Sequence, residues 1–421
     1  MRSKGYQKKG VSRRTFLKLS GALGLATSVN FPGVVLGKEP EKIKVGAVWP
    51  LSGLLAKGGD ASKVGGEIAI SEINAAGGIK SLGGAKIELL IGDSQSKSEI
   101  GMGEEERLIQ RGVAAMVGCW SSDITLAATQ VAAKYGVPHI VDMATAPEIT
   151  QRGFKNIFKL PATPDIVALD IVRDLKEVIQ LTGVQPKTCA FLTVNTLFGQ
   201  NIAKSCPKEI GKVLQILANS LYPAGTPDLS SELTKLKALK PDILFVCNYL
   251  PDSMLLARQM KMLNFDTMAV WGMYAAGPNE PEYITNLGEL AQYTINTSED
   301  ADHRSKRYIE VATKFSKIRN QSMIRMSMDG IYAYTTMYIL ADALERAKST
   351  DKEKLIEALS KTNYKDHMLA TPAPITFDKD GQNTISCNVM HQILKGRFEV
   401  VLPKSWQTAK PVFPMPKWTE R

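Results

Sequence analysis

The stretch IKVGAVWPLSGLLAKGGDASKVGGEIAISEINAAGG (43–78) has the pattern of a complete strand–loop–helix unit. Its first six residues form an apolar, β-branched run that predicts a strand, and helical periodicity follows over 60–75. Gly77 and Gly78 then supply the positive φ angles at which helices commonly end. The same strand–loop–helix order returns at 188–212, so the sequence predicts two α/β units of similar build.

Along most of the chain, short apolar runs alternate with amphipathic helical segments. The predicted strands are 43–48, 86–92, 114–118, 139–143, 189–194 and 242–247. The predicted helices are 60–75, 98–110, 125–135, 165–181, 199–212, 253–263 and 328–347. Continuous apolar strands separated by helices are typical of parallel sheets covered on both faces, so the fold class is α/β. Ligands of such sheets bind beyond the carboxyl ends of the strands.

The first 37 residues have the composition of an export signal. They carry seven basic residues and no acidic one, and a short, weakly apolar run follows. The string SRRTFLK (12–18) resembles a twin-arginine signal, so we expect a protein of the periplasm or the exterior of the cell envelope. Without these residues, 45 basic residues face 42 acidic ones, and the remaining 384 residues are too many for one compact core. The near-neutral charge argues against nucleic-acid binding.

Signatures of catalysis are missing from the sequence. It contains no GxSxG, P-loop, GxGxxG, HExxH or CxxC motif, and the four histidines are scattered. His139, near a predicted strand end, is interpreted as a core residue. The five cysteines fit core thiols, although a disulfide between Cys189 and Cys206 stays open. We therefore predict a protein that is not an enzyme, with no cofactor and no metal.

Several segments together resemble a known family. They are LSGLLAKGG (51–59), EINAAGGI (72–79), VGCWSSDITLAA (117–128), YGVPHIVDMATAPEIT (135–150), PDLSSELTKLKALKPDILFV (227–246) and ITFDKDG (375–381). They are similar to the type I periplasmic binding proteins, and within these to the leucine/isoleucine/valine-binding branch that serves ABC transporters.

The resemblance implies two Rossmann-like lobes joined by a three-crossover hinge, with the ligand in the cleft between them. The expected bounds are 42–162 with 297–375 for the first lobe, and 163–296 with 376–421 for the second. The implied partners are a small organic solute and the membrane permease of an ABC importer, and the protein is expected to be a monomer.

One wall of the expected cleft is polar. Ser121 and Ser122 precede an apolar helix, and a serine there can cap the helix or present its hydroxyl beside free backbone N–H groups. With the helix dipole this makes a site for a carboxylate. The resemblance assigns ligand contacts to Ser122 and Thr145, and small Ala144 beside Thr145 lets the backbone approach a ligand. Capping alone remains the alternative for Ser122.

The opposite wall is expected to be aromatic. Phe198 and Tyr249 match family positions that lean on the ligand from the second lobe. Trp49 and Trp120 lie on first-lobe loops that face the same cleft in this interpretation. Such rings bury much of a small apolar body, at roughly 25 cal/mol per Å² of area.

The sequence departs from the family pattern at one position. Amino-acid-binding members place a carboxylate in the second lobe for the ligand ammonium, but VWGMYAAG (270–277) has Met273 and Tyr274 and no acid. A buried ammonium without an anion is costly. Either Asp329 replaces that carboxylate from the first lobe, or the ligand lacks an α-amino group, as aromatic or aliphatic carboxylates, amides and urea-like solutes do.

The function predicted from the sequence is extracytoplasmic solute binding for an ABC importer, with a small amino-acid-like or carboxylate solute. The alternative is a sensor or receptor subunit with the same ligand-binding fold.

Overall fold

Five short parallel strands form the first sheet. The computed structural model describes residues 41–385 and 387–421. The strands are β1 (Ile43–Trp49), β2 (Ile87–Asp93), β3 (Ala115–Gly118), β4 (His139–Val141) and β5 (Ile157–Lys159). They lie in the order β2-β1-β3-β4-β5 and every pairing is parallel. All but β2 are almost wholly buried, which explains their continuous apolar sequence.

Helices from both ends of the chain cover this sheet. Three of them precede the second lobe in sequence: α1 (Ala56–Ala75), α2 (Ser98–Gln110) and α3 (Ser122–Tyr135). Three follow when the chain returns from the second lobe: α9 (Lys306–Ile318), α10 (Met328–Ala347) and α11 (Lys352–Ser360). Helix α1 packs closely on α10, where a Cβ on Gly65 would lie 2.2 Å from the carbonyl oxygen of Gly330. The glycine therefore sets how near the two helices approach.

The second sheet has seven strands. They are β6 (Thr188–Val194), β7 (Gln215–Tyr222), β8 (Ile243–Cys247), β9 (Ala269–Met273), β10 (Ile295–Glu299), β11 (Asn388–Leu394) and β12 (Arg397–Leu402). Their order is β12-β11-β10-β9-β8-β6-β7. The pairings from β7 to β10 are parallel, but β11 and β12 pair antiparallel at one edge. The predicted α/β class with parallel sheets is confirmed, and the second sheet also carries the antiparallel strands β11 and β12 at one edge.

Helices between these strands complete the second lobe. They are α4 (Pro164–Thr182), α5 (Leu197–Ile210), α6 (Ser230–Leu239), α7 (Leu250–Met262) and α8 (Pro281–Leu287). Glycines or left-handed residues follow several of them, as at Gly183 after α4 with φ 70°.

The chain passes between the two sheets three times, at 160–163, 300–305 and 361–387. Strand β10 continues past residue 296 to Glu299, and Gly381 and Asn383 hydrogen-bond to the main chain of Lys159 in β5. The bounds given above for the two lobes remain a prediction.

Four further expectations concern the chain as a whole. All five cysteines are buried free thiols, as core thiols should be, and none forms the Cys189–Cys206 disulfide. His139 is fully buried, and its Nδ1 lies 2.8 Å from Glu105 Oε1, as expected of a core histidine. Within 41–385 and 387–421, none of the helices has the length and apolar character needed to cross a bilayer. The predicted export signal (1–37) lies outside the described residues.

Candidate functional site

A cavity with an empty volume of about 350 Å³ lies between the carboxyl ends of the strands of both sheets. Its first-lobe lining is Trp120, Ser121, Ser122, Met143, Thr145, Met328 and Asp329. Its second-lobe lining is Phe198, Tyr249, Tyr274 and Ala276. Eight of the eleven residues predicted from the sequence therefore share one cavity.

The hydroxyl wall consists of Ser122, at the start of α3, and Thr145, in the loop after β4. Ser121 is the residue before the helix and its side chain makes no capping hydrogen bond. Ser122 Oγ instead accepts a bond of 3.3 Å from the N–H of Ala146, which ties α3 to the loop that carries Thr145. Thr145 Oγ1 is buried with no partner among the described residues. Because the first N–H groups of a helix have no intrahelical acceptor, this wall presents several unused donors to the cavity.

Trp120 is held over the cavity by its backbone and by a close approach to α1. Its φ is 69°, a left-handed value unusual for a bulky residue, and its N–H donates to Asp142 Oδ1 at 3.3 Å. A Cβ on Gly58 would lie 2.4 Å from the Trp120 indole, so only glycine leaves room for the ring. Trp120 Nε1 is buried and makes no hydrogen bond of ordinary geometry, although it lies near the Asp329 carboxyl.

The ring wall, Phe198, Tyr249 and Tyr274, comes from the second lobe. The centroid of Tyr249 lies 5.7 Å from that of Trp120 and 6.1 Å from that of Phe198, and Phe198 meets Tyr274 edge-on at 6.4 Å. These spacings are within the range of favourable aromatic pairs. The Tyr249 hydroxyl lies 3.3 Å from Thr196 Oγ1, and the Tyr274 hydroxyl donates to Glu299. The rings thus form a continuous arc that starts on the first lobe and ends on the second.

Asp329 brings a carboxyl group into the cavity beside a second one, that of Glu280. Burial raises the pKa of Asp329 well above its usual value, and the neighbouring Glu280 carboxylate raises it further. Burial also raises the pKa of Glu280, while Arg319 opposes this: its Nη1 lies 3.4 Å from Glu280 Oε2. Arg319 Nε also lies 3.1 Å from Asp60 Oδ2 of α1, so the arginine joins the two lobes next to the cavity.

The structure does not bring Trp49, Ala144 and Met273 into the cavity wall, and their predicted place there is corrected. The Trp49 indole is fully buried and donates to Asp142 Oδ2 at 2.6 Å, so the ring is used to fix the loop beneath. Ala144 and Met273 are buried but do not line the cavity, and Met273 ends β9, where alternate side chains point to opposite faces of the sheet.

Sequence reasoning missed Met143, Ala276 and Met328 in the lining, and Glu280 behind it. Met143 and Met328 adjoin residues that were predicted, so their proximity in sequence was an available signal. Glu280 lies three residues beyond the stretch 270–277, where the family pattern would place the acid. Only its contact with a residue 49 positions later reveals it.

The cavity offers hydrogen-bonding and apolar contacts. Within the part of the chain that the structure describes, no group of three or more histidine, cysteine or acidic side chains is arranged to hold a metal ion.

Comparisons with known proteins identify the family and the fold. The family model described as "Periplasmic binding protein" matches residues 42–397, which confirms the predicted family. Leu/Ile/Val-binding protein homolog 7 of Brucella suis biovar 1 is 29% identical over 383 residues, covering 86% of this chain and 91% of its own length. Homolog 8 of Brucella abortus is 28% identical over 414 residues, covering 94% and 98%.

Two solved structures share the fold. The leucine-binding protein LivK of Thermotoga maritima superposes with a TM-score of 0.74 at 21% identity, over 85% of this chain and 97% of its own. The branched-chain amino acid transporter substrate-binding protein LivJ of Streptococcus pneumoniae, solved with isoleucine, gives a TM-score of 0.73 at 24% identity, over 89% and 100%.

Proposed function

We propose a function from one premise: this chain belongs to the periplasmic binding protein family. In the proposed function it is the extracytoplasmic solute-binding component of an ABC importer, without enzymatic activity. It encloses a small amino-acid-like or carboxylate solute between its lobes, acts as a monomer, and delivers the solute to a membrane permease. A twin-arginine-type signal in the first 37 residues accounts for export.

The observation that carries this proposal is the pairing of two unlike walls across one cavity. Ser122, Thr145 and the start of α3 offer hydrogen-bond donors on the first lobe, and the ring wall offers apolar area on the second. A solute with a carboxylate at one end and an apolar body at the other satisfies both walls at once. The walls belong to different lobes, so such a solute favours the closed arrangement over an open one.

The amine end of the solute is the part that Asp329 decides. The relatives are named as Leu/Ile/Val-binding proteins, and LivJ holds isoleucine, which supports an α-amino acid. Asp329 lines the cavity from the first lobe and is available to pair with an ammonium group. The four rings and two methionines that line the cavity also suit a flatter apolar body, as in an aromatic acid.

Mass spectrometry of small molecules released from freshly purified protein tests the proposal. We expect one carboxylate-bearing solute in near-stoichiometric amount from the wild type and much less from Ser122→Ala/Thr145→Ala. Recovery of the same solute unchanged after prolonged incubation with the protein supports binding alone. A chemically altered product would instead support an exported enzyme on this fold.

Calorimetry then defines the solute class. L-leucine and L-phenylalanine are compared with 4-methylpentanoate and 3-phenylpropanoate, which lack only the amine. Tighter binding of the amino acids assigns an ammonium-pairing role to Asp329, and tighter binding of the deaminated acids removes that role. Binding of none of the four would contradict the proposed solute class.

A further inference from the structure

The three chain crossings between the lobes meet at one buried carboxyl group, that of Glu299. Its Oε1 accepts a hydrogen bond of 3.1 Å from the N–H of Ala162, in the first crossing. Glu299 itself ends β10 and opens the second crossing. Cys387 Sγ, at the end of the third crossing, lies 3.9 Å from the same Oε1. The side chain is fully buried.

The other oxygen of Glu299 reaches the cavity wall through Tyr274. The Tyr274 hydroxyl donates to Glu299 Oε2, and the ring of Tyr274 lines the cavity. Tyr274 has a φ of 58°, in the region that residues other than glycine rarely adopt. Its position therefore depends on a turn after β9 and on the bond to Glu299.

The hydroxyl wall is anchored in the same polar group. Lys159 is fully buried and its Nζ donates to the carbonyl oxygen of Thr145 at 2.8 Å. Burial lowers the pKa of Lys159 to about 7, against the opposing negative charge of Glu299. Burial likewise raises the pKa of Glu299 to about 7, against the hydrogen bond from Tyr274. Lys159 therefore contacts the hydroxyl wall and Glu299 contacts the ring wall, each from behind the cavity lining.

We infer that Glu299 is a positioning residue of the solute site, which joins the three crossings to the hydroxyl of Tyr274 and so fixes the ring wall relative to the hydroxyl wall. The inference rests on the proposed solute-binding function, but it concerns a residue that touches no solute. If Glu299 had only a structural role, its removal would lower the stability of the protein. Its effect on solute affinity would then be independent of the effect of Tyr274→Phe.

The variants separate these roles. Glu299→Met keeps the length of the side chain and removes both acceptors. Glu299→Gln retains an acceptor for Ala162, and its amide can donate to the Tyr274 oxygen, so it serves as the conservative variant. Tyr274→Phe removes only the hydroxyl. The matched control is the Tyr334–Glu72 pair, a hydrogen bond of 2.6 Å between α10 and α1 outside the cavity lining, removed in Tyr334→Phe and in Glu72→Met.

Affinity for L-leucine and L-phenylalanine is measured by calorimetry. We expect Glu299→Met and Tyr274→Phe each to weaken binding about tenfold, the double variant to be no weaker than Glu299→Met alone, and Glu299→Gln to stay within about threefold of wild type. Effects of the two single variants that multiply in the double variant, or equal losses in the Glu72→Met control, would overturn the inference.

A measurement made without solute tests the role of Glu299 independently of the calorimetry. If neither L-leucine nor L-phenylalanine binds, that result counts against the proposed function, and the solute-free measurement still decides the role of Glu299. Spin labels on Lys97→Cys in the first lobe and Lys208→Cys in the second, both exposed positions, report the distance between lobes. Glu299→Met and Tyr274→Phe are each expected to broaden the distance distribution, with Glu299→Gln and Glu72→Met unchanged. An identical distribution in Glu299→Met and its parent would contradict the assigned role.

Discussion

The hydroxyl wall and the ring wall face each other across one cavity, yet they are held in place by different means. Ser122 and Thr145 follow directly from local structure, since one begins a helix and the other lies in the loop after β4. The rings of Tyr249 and Tyr274 are oriented by hydrogen bonds to residues 53 and 25 positions away. The residues of the hydroxyl wall can therefore be located from local sequence, although bonds from Ala146 to Ser122 and from Lys159 to Thr145 hold them in place. The orientation of the rings depends on side-chain contacts that local sequence does not indicate.

Removal of the hydroxyl wall should have the largest effect. Ser122→Ala with Thr145→Ala leaves a bound carboxylate without two hydroxyl donors, each worth roughly 1.5–3 kcal/mol to a charged acceptor. We expect affinity for the carboxylate solute to fall about 100-fold or more by calorimetry. Ser71→Ala, an exposed serine on α1, serves as the control and should bind as the wild type does. A fall below tenfold in the double variant would mean that the carboxylate lies elsewhere.

Removal of one ring should reduce the binding free energy less, and it should discriminate less between different solutes. Tyr249→Ala removes contacts to Trp120 and Phe198 and opens a space, with an expected loss of about 2 kcal/mol in binding free energy. Because the lost contact is apolar, we expect similar losses for a carboxylate solute and for its amide. The hydroxyl-wall variant should instead weaken the carboxylate far more. Equal selectivity of the two variants in parallel titrations would remove the distinction between the walls.

Gly58→Ala tests the position of Trp120, the ring of the first lobe that contacts the ring wall. The new Cβ would meet the Trp120 indole at 2.4 Å, and overpacking of this kind typically costs about 1–3 kcal/mol. We expect weaker binding and a lower thermal midpoint. Gly103→Ala is the matched control, a glycine within α2 whose added Cβ meets nothing within 4 Å. That change should leave binding unaltered and raise stability by up to about 1 kcal/mol, through helix propensity.

The smallest effect should be a change of solute affinity with pH that is larger for a solute carrying an amine. Burial and the Glu280 carboxylate raise the pKa of Asp329, so the empty cavity favours its protonated form. An ammonium group favours the ionised form, and binding of L-leucine should therefore tighten more steeply with rising pH than binding of 4-methylpentanoate, for which Asp329 has no ammonium to pair with. Glu299 and Lys159, each with a pKa of about 7, affect both solutes alike. Asp329→Asn should abolish the difference between the two profiles, and wild-type profiles of equal slope would exclude an ammonium contact.

Much of this architecture could be predicted from local sequence. Apolar β-branched runs predicted β1, β2, β3, β4, β6 and β8, because buried parallel strands leave a continuous apolar pattern. The antiparallel pair β11 and β12 was not predicted, since each strand depends on pairing with residues about 100 positions away or with its neighbour at the sheet edge.

The candidate site divides in the same way. Ser122, Thr145 and Asp329 stand at helix starts or after strands, and local pattern indicated them. Trp49 also lies at the end of a strand, but its indole N–H donates to Asp142 and the ring is buried in the core. Glu299 and Glu280 became visible only through their contacts with Tyr274 and Asp329, and no periodicity encodes such contacts.

A crystal structure of the protein with its co-purified or calorimetrically identified solute would show whether the solute bridges the two walls. We expect solute atoms in contact with Ser122 and Thr145 on one side and with Tyr249 and Phe198 on the other, within a cleft closed by both lobes. Solute density outside this cavity, or in contact with only one lobe, would contradict it.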